Sequence, residues 1–265
     1  GTSVVSAWTN LTWLGKGVRT AGTGDGETPI STTNLIASWN FNETSGTAAV
    51  SAGSCGTTCN MTLNNFASTA SQDQAAGTGW TANNRRWGAG ALMFDGTNDY
   101  VNVADNANLD FAATDNFTLS AWIKTTITGT GDIIGKANYT TNVGYELYVN
   151  ANKAKCILDG STLFPVAQST TNVNDGQWHF ITCVRDTTAD NIRIYVDGNL
   201  EGTTTDTTTI SLANSDPFVV GAGNNGASNL FNGVIDAVSV YNRAMTNGEI
   251  LANYQAGQLE FQTRT

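Results

Sequence analysis

Histidine occurs once in this 265-residue chain, methionine and proline three times each, and only 13% of the residues are charged. With a single histidine and no paired CxxC units, a zinc site of imidazole and thiolate ligands is not expected. Twelve basic residues against 22 acidic ones give a net charge of −10, so no basic excess is available to neutralise phosphates and nucleic acid is set aside as a partner. No stretch approaches the roughly 18 apolar residues that span a bilayer, and membrane insertion by the given chain is not expected. The first residue is Gly1 rather than methionine, which reads as a processed or excised product.

What is abundant is Asn, Thr, Gly and Ser, a hydroxyl- and amide-rich composition that suits an extracellular protein, secreted or attached to a cell surface. Four cysteines sit at 55, 59, 156 and 183. Three connectivities are formally open. The spacing of Cys55 and Cys59 suits a small local loop, and Cys156 in KAKCIL and Cys183 in HFITCV would be near neighbours in a meander. Either bridge implies an oxidising compartment.

Strand-like runs recur: LIASWNF (35–41), ALMFDG (91–96), DYVNVA (99–104), FTLSAWIK (117–124), DIIGKA (132–137), YELYVN (145–150), FVVGA (218–222) and GVIDAVSVYNR (233–243). Gly, Asn, Asp and Thr punctuate them at short intervals, the pattern of an antiparallel sandwich. Alternate threonines in EGTTTDTTTISL (201–212) favour a further strand over a linker. One helix is expected, in TNGEILANYQAG, with Thr246 capping, Glu249 three residues on and Gly257 terminating.

The lone histidine lies in DGQWHFITCVRDTTADNIRIYVDGNLEG (175–202). At period two, Trp178, Phe180, Thr182 and Val184 share one face, and His179, Ile181, Cys183 and Arg185 the other. A second run, Ile192, Ile194 and Val196, ends in Asp197-Gly198, a hairpin signal. No carboxylate, serine or second histidine is read near His179 in sequence to make a dyad, so it is taken as a structural strand residue.

In order, LIASWNFNETSGT, GALMFDGTNDYVNV, FTLSAWIK, DGQWHFITCVRD, IRIYVDGNLEG and FNGVIDAVSVYNRAMTNGEI resemble the laminin-G-like members of the concanavalin A-like lectin/glucanase superfamily. The likeness covers about residues 34–256. It implies an all-β, antiparallel two-sheet jelly roll, with an N-terminal extension over 1–33, the jelly roll over 34–256 and a tail over 257–265. In FDGTNDY, glycine and asparagine permit a reversal that would return Phe94 and Tyr100 to one core. Val234, Asp236, Val238 and Val240 fall on one face at period two, so Asp236 needs backbone donors or a cation. Similar domains often hold one structural calcium ion. The matching oxygen ligands here are Asp95, Asp99, Asn42 and Asp236.

The superfamily includes glycosidases, which need two carboxyl groups roughly 5 Å apart. The six glutamates, at 27, 43, 146, 201, 249 and 260, form no E-x-D-x-x-E or E-x-E arrangement, so no catalytic residue is assigned and the chain is read as a non-catalytic module. Glycan binding or cell-surface adhesion is the leading expectation, with Trp80, Trp87, Tyr139, Phe164 and Phe231 as loop aromatics for which packing is favoured over ligand contact. The alternative is a structural subunit of an extracellular filament, joined to copies of itself through residues 1–14. Val4, Trp8, Leu11, Trp13 and Leu14 in VVSAWTNLTWL would be the assembly residues, since such an apolar run needs a cover. A glycoside hydrolase ranks below both.

Overall fold

A computed structural model describes residues 31–256 of the chain, Ala76 excepted. Val4, Trp8, Leu11, Trp13, Leu14 and the C-terminal tail lie outside the described residues.

Among the described residues the strands are β1 (Leu35–Trp39), β2 (Ala48–Ala49), β3 (Met61–Asn64), β4 (Gly79–Thr81), β5 (Ala91–Asp95), β6 (Tyr100–Val103), β7 (Phe117–Thr125) and β8 (Gly131–Asn138). They continue with β9 (Val143–Asn150), β10 (Lys153–Gly160), β11 (Val166–Asn172), β12 (Trp178–Asp186), β13 (Asn191–Val196), β14 (Asn199–Thr205), β15 (Phe218–Val220) and β16 (Asn232–Tyr241). One helix, α1 (Asn247–Ala256), follows. The first sheet runs β14-β13-β12-β7-β16-β5-β4, with β1 also on β16; the second runs β11-β10-β9-β8-β15-β6-β3-β2. Every pairing is antiparallel, and the two sheets enclose one apolar core. This is the two-sheet jelly roll that the strand pattern and the resemblance imply.

Alternation assigns the faces. Ile181 and Cys183 of β12 point into the core, while Phe180 and Val184 point outward into a second apolar cluster with Trp122, Tyr195, Tyr241 and Ile250 of α1. Thus the outer face of the first sheet is sealed by the helix. The helix starts as expected: Glu249 N donates to Thr246 Oγ1 (3.3 Å) and Thr246 N to Glu249 Oε2 (2.9 Å), a reciprocal cap. The outer face of the second sheet has no such helix among the described residues.

Four local expectations are corrected. A bulge in β16, where Ala237 takes φ 48 and the register to β7 shifts, interrupts the alternation. Val238 and Val240 therefore join Ile235 in the core, and Asp236 does not share their face. The FDGTNDY reversal carries the chain from β5 in one sheet to β6 in the other; Phe94 is buried, but Tyr100 packs under Gly226. A Cβ on Gly226 would fall 2.5 Å from the Tyr100 ring, and its φ of +88 is also one that favours glycine. The threonine run is a strand only to Thr205. Beyond it Asp206 and Thr208 turn inward to bind Arg185. Finally, the Cys156–Cys183 bridge joins β10 to β12, and so crosses between the sheets instead of linking neighbours in one. Cys55 and Cys59 form the local bridge.

Candidate functional site

At the end of the sandwich where β1 and β7 begin and β16 finishes lies a cleft of about 580 Å³. Asn34, Asn108, Asn116 and Asn242 line it together with Asp110, Asp115, Ser54 and Thr114, and Phe111 contributes an apolar edge. The walls are built by capping chemistry. Asp115 Oδ2 accepts from Ala112 N (2.8 Å), and Asn116 Oδ1 accepts from Thr187 N (2.7 Å). Asp110 lies 3.1 Å from the ammonium of Lys136, whose side chain is fully buried and also donates to Asp105 Oδ1 (2.9 Å) and to the carbonyls of Asn214 (2.6 Å) and Asp216 (2.8 Å). Lys136 thereby acts as an internal cation that fixes one wall. Such a concave set of amide and carboxylate groups matches the hydroxyl groups of a polyol better than it matches an apolar ligand.

A second polar group lies on the outer face of the second sheet. Asp132 (β8), Glu146 (β9) and Asp159 (β10) are all buried. Tyr139 OH contacts Glu146 Oε1 (2.5 Å) and Asp132 Oδ2 (3.2 Å), and Asn229 Nδ2 reaches Tyr139 OH (3.2 Å) and Asp132 Oδ2 (3.4 Å). Burial pushes Glu146 up to about 8, helped by the Asp132 charge; burial also carries Asp159 to about 7 and Asp132 to about 6. Spacing along one strand could not reveal this pair, because its members come from adjacent strands. Glu146 lines a niche of about 10 Å³ with Gly223, Asn224 and Asn225, room for about one water.

His179 does have carboxylate neighbours, contrary to the sequence reading. Asp197 Oδ2 is 2.8 Å from Nδ1, and Asp175 Oδ1, four residues back in the chain, is 3.2 Å from Nε2. Burial opposes the charged ring, but the Asp197 hydrogen bond and the two carboxylates raise its pKa overall. Asp197 Oδ1 also accepts from Phe180 N (2.9 Å), so the group pins the Asp197-Gly198 turn onto β12. This geometry ties strands together.

The expected calcium ligands separate into two pairs. Asp95 Oδ1 accepts from Thr97 N (2.7 Å), and Asp99 Oδ2 accepts from Asp95 N (3.1 Å). Asp99 is buried, its Oδ1 has no hydrogen-bond partner, and burial raises its pKa to about 6. An orphaned carboxylate oxygen beside a second carboxylate fits a cation. Asn42 and Asp236 do not join them. Asn42 Oδ1 accepts from Ala89 N (2.6 Å) and Gly90 N (3.2 Å), and Asp236 Oδ2 accepts from Arg86 N (2.9 Å) and Trp87 N (3.2 Å), so both clamp the 86–90 segment. Asp95 faces Asn232 on β16, and Asp236 lies four residues on, about 13 Å away at about 3.3 Å per residue.

Of the loop aromatics, Trp80 and Phe231 are core residues and Tyr139 belongs to the carboxyl group above. Trp87 lies 4.7 Å from the Arg86 guanidinium, which also sits 4.5 Å from Trp122. Phe164 is exposed at the β10–β11 tip, beside the exposed Leu163.

Two antiparallel sheets around one core, bridged by a disulfide and flanked among the described residues by one helix, define a lectin-type jelly roll. The chain belongs to the Laminin_G_3 family of the concanavalin A-like lectin/glucanases superfamily, which matches residues 95–251. No curated protein matches the chain in sequence. Among solved structures it is similar to the binding domain of Paraclostridial Mosquitocidal Protein 1 (TM-score 0.63, 14% identity, 84% of this chain and 52% of that chain). It is also similar to the botulinum neurotoxin serotype G binding domain (TM-score 0.61, 15% identity, 84% and 51%). A third is the botulinum neurotoxin serotype D ligand binding domain in complex with N-acetylneuraminic acid (TM-score 0.60, 16% identity, 84% and 51%). At these identities the likeness is one of fold, and the chain spans about half the length of those domains.

Proposed function

We propose that this is a non-catalytic, extracellular glycan-binding module acting in adhesion at a cell surface, with the end cleft as its ligand site. The observation that carries the reading is the convergence of four asparagines and two aspartates on one cleft of about 580 Å³. Its volume falls within the range of ligand pockets, about 300–1,000 Å³, and its lining pairs donors and acceptors as sugar hydroxyls require. Two disulfides favour an oxidising compartment. Against catalysis stands the enclosure of the Asp132–Glu146 pair, whose adjoining niche of about 10 Å³ leaves no room for a sugar ring. Asp95 and Asp99 are the residues that would hold a structural calcium ion, which would stabilise the turn between β5 and β6.

The test is an array of neutral, amino and sialylated oligosaccharides, followed by titration of hits against Asn242→Ala and a cleft-filling Asn108→Trp. Glycan binding that weakens at least tenfold in both variants, with unchanged melting, supports the reading. Unaltered affinity in both moves the site elsewhere, and absence of any glycan binding abandons the sugar for another surface ligand.

A further inference from the structure

The segment 223–229 crosses the outer face of the second sheet between the buried Ala222 and Phe231, and is fixed to the sheet at both ends. Gly221 N donates to Ile133 O (3.2 Å), and Asp132 N donates to Asn229 O (2.8 Å). Between those ends the chain approaches the carboxyl group so closely that a Cβ on Gly223 would fall 2.1 Å from Asp132 Oδ2 and 2.6 Å from Tyr139 OH. The side-chain clasp is Asn229, bound to Asp132 and Tyr139.

Proton counting shows what holds the clasp. Tyr139 OH has two oxygen neighbours, Glu146 Oε1 and Asp132 Oδ2, but brings one proton. Its lone pairs receive Asn229 Nδ2, so one O···O contact must be served by a proton from a carboxyl group. Two ionised carboxylates around one hydroxyl would leave an unbridged repulsion in a buried place.

The surrounding charges do not relieve it. Asp159 of β10 adds a third acid on the same face, and Tyr148 of β9 lies beside it. Lys155, on the same face of β10, donates to Asn150 Oδ1 (2.9 Å). Residues 221–231 carry no ionisable side chain. Their neighbours are Tyr100, under Gly226, and Asp216, which accepts from Asn225 (3.1 Å).

We propose that residues 223–229 form a pH-dependent flap, clasped to the second sheet through Asn229 while the Asp132–Tyr139–Glu146 group keeps a carboxyl proton, and released when that proton leaves. The niche beside Glu146 gives the proton its route to solvent. Glu146, raised by burial and the Asp132 charge to about 8, holds its proton longest and places the release on the alkaline side of neutrality. The device does not depend on which ligand the end cleft takes.

Hydrogen exchange of the 223–229 amides, corrected for intrinsic rates, tests it on the full chain at about pH 6 and about pH 9. Corrected exchange is expected to quicken by about tenfold or more at the higher pH. Glu146→Gln, which keeps an acceptor for Tyr139 and supplies a permanent donor to Asp132, should remain protected at both. Tyr139→Phe should exchange fast at both. Equal corrected protection of the wild-type flap at the two pH values overturns the proposal, as does a Glu146→Gln flap that opens like wild type or a Tyr139→Phe flap that stays closed.

Discussion

Arg185 Nε lies 2.7 Å from Asp206 Oδ2 in an ion pair of which 1% and 4% of the two side chains are exposed. The rest of the guanidinium reaches the carbonyls of Ala112 (3.0 Å) and Ala113 (2.9 Å) and Thr208 Oγ1 (2.9 Å). The carbonyls belong to the segment that walls the end cleft, so one buried fork anchors both the post-β14 turn and the proposed binding edge. Replacing Arg185 by Met leaves Asp206 buried without its cation, and is expected to cost about 3–5 kcal/mol in a denaturant melt. Arg185→Lys keeps the charge but not the fork and should recover only part of that. A loss under about 1 kcal/mol for Arg185→Met would show that the pair contributes little.

The pH dependence of stability follows from which acids hold protons. Glu146, Asp159 and Asp132 are raised to about 8, 7 and 6, so their contribution is complete below the ordinary carboxylate range and is lost as pH rises through those values. His179, also raised, loses its contribution as pH climbs through its folded value. Glu249 runs the other way: hydrogen bonds from Arg243 hold it near 2, and its contribution disappears as pH falls toward that value. The melting temperature should therefore peak near about pH 4.5 and decline toward about pH 8. Glu146→Gln should flatten the alkaline limb. A steady rise in melting temperature from about pH 5 to 8 would contradict the assignment.

The two bridges differ in the loops they close, 27 residues for Cys156–Cys183 and 4 for Cys55–Cys59. Chain-entropy arguments give about 3.5 kcal/mol for the first and about 2 kcal/mol for the second. Paired Cys→Ser replacements measured by equilibrium unfolding should rank in that order. The reverse order would mean that the local loop carries structure of its own in the unfolded chain.

The sandwich was legible because its long strands alternate cleanly: β12 shows Ile181 and Cys183 inward and Phe180 and Val184 outward, as period two requires. Short or polar strands such as β3 (MTLN), β4 (GWT) and β11 (VAQSTTN) carry no such signal. A single left-handed residue, Ala237, was enough to reverse the faces of half of β16. The sites were less legible than the fold. Asn34, Asp115 and Asn242 meet only because three strand ends share one edge of the sandwich, and Asp132 meets Glu146 only through the pairing of β8 with β9. The local sequence around His179 also misled, since Asp175 was four residues away and Asp197 sat in the very turn used to assign the hairpin.

A calcium ion at the turn between β5 and β6 is the remaining expectation with a structural footing. Asp99 has an oxygen that is buried without a hydrogen-bond partner, and Asp95 lies beside it, so a bound divalent cation would satisfy the orphan and cancel the repulsion that helps raise Asp99. A ligand that binds only the folded chain stabilises it by mass action, about 2.7 kcal/mol at a hundredfold excess over Kd. Melting in calcium should then exceed melting in chelator for the wild type. Asp99→Asn should abolish the difference, whereas Asp236→Asn should lower both curves equally by loosening the 86–90 segment. Identical wild-type curves in calcium and chelator would leave Asp99 as a buried carboxylic acid that keeps its own proton.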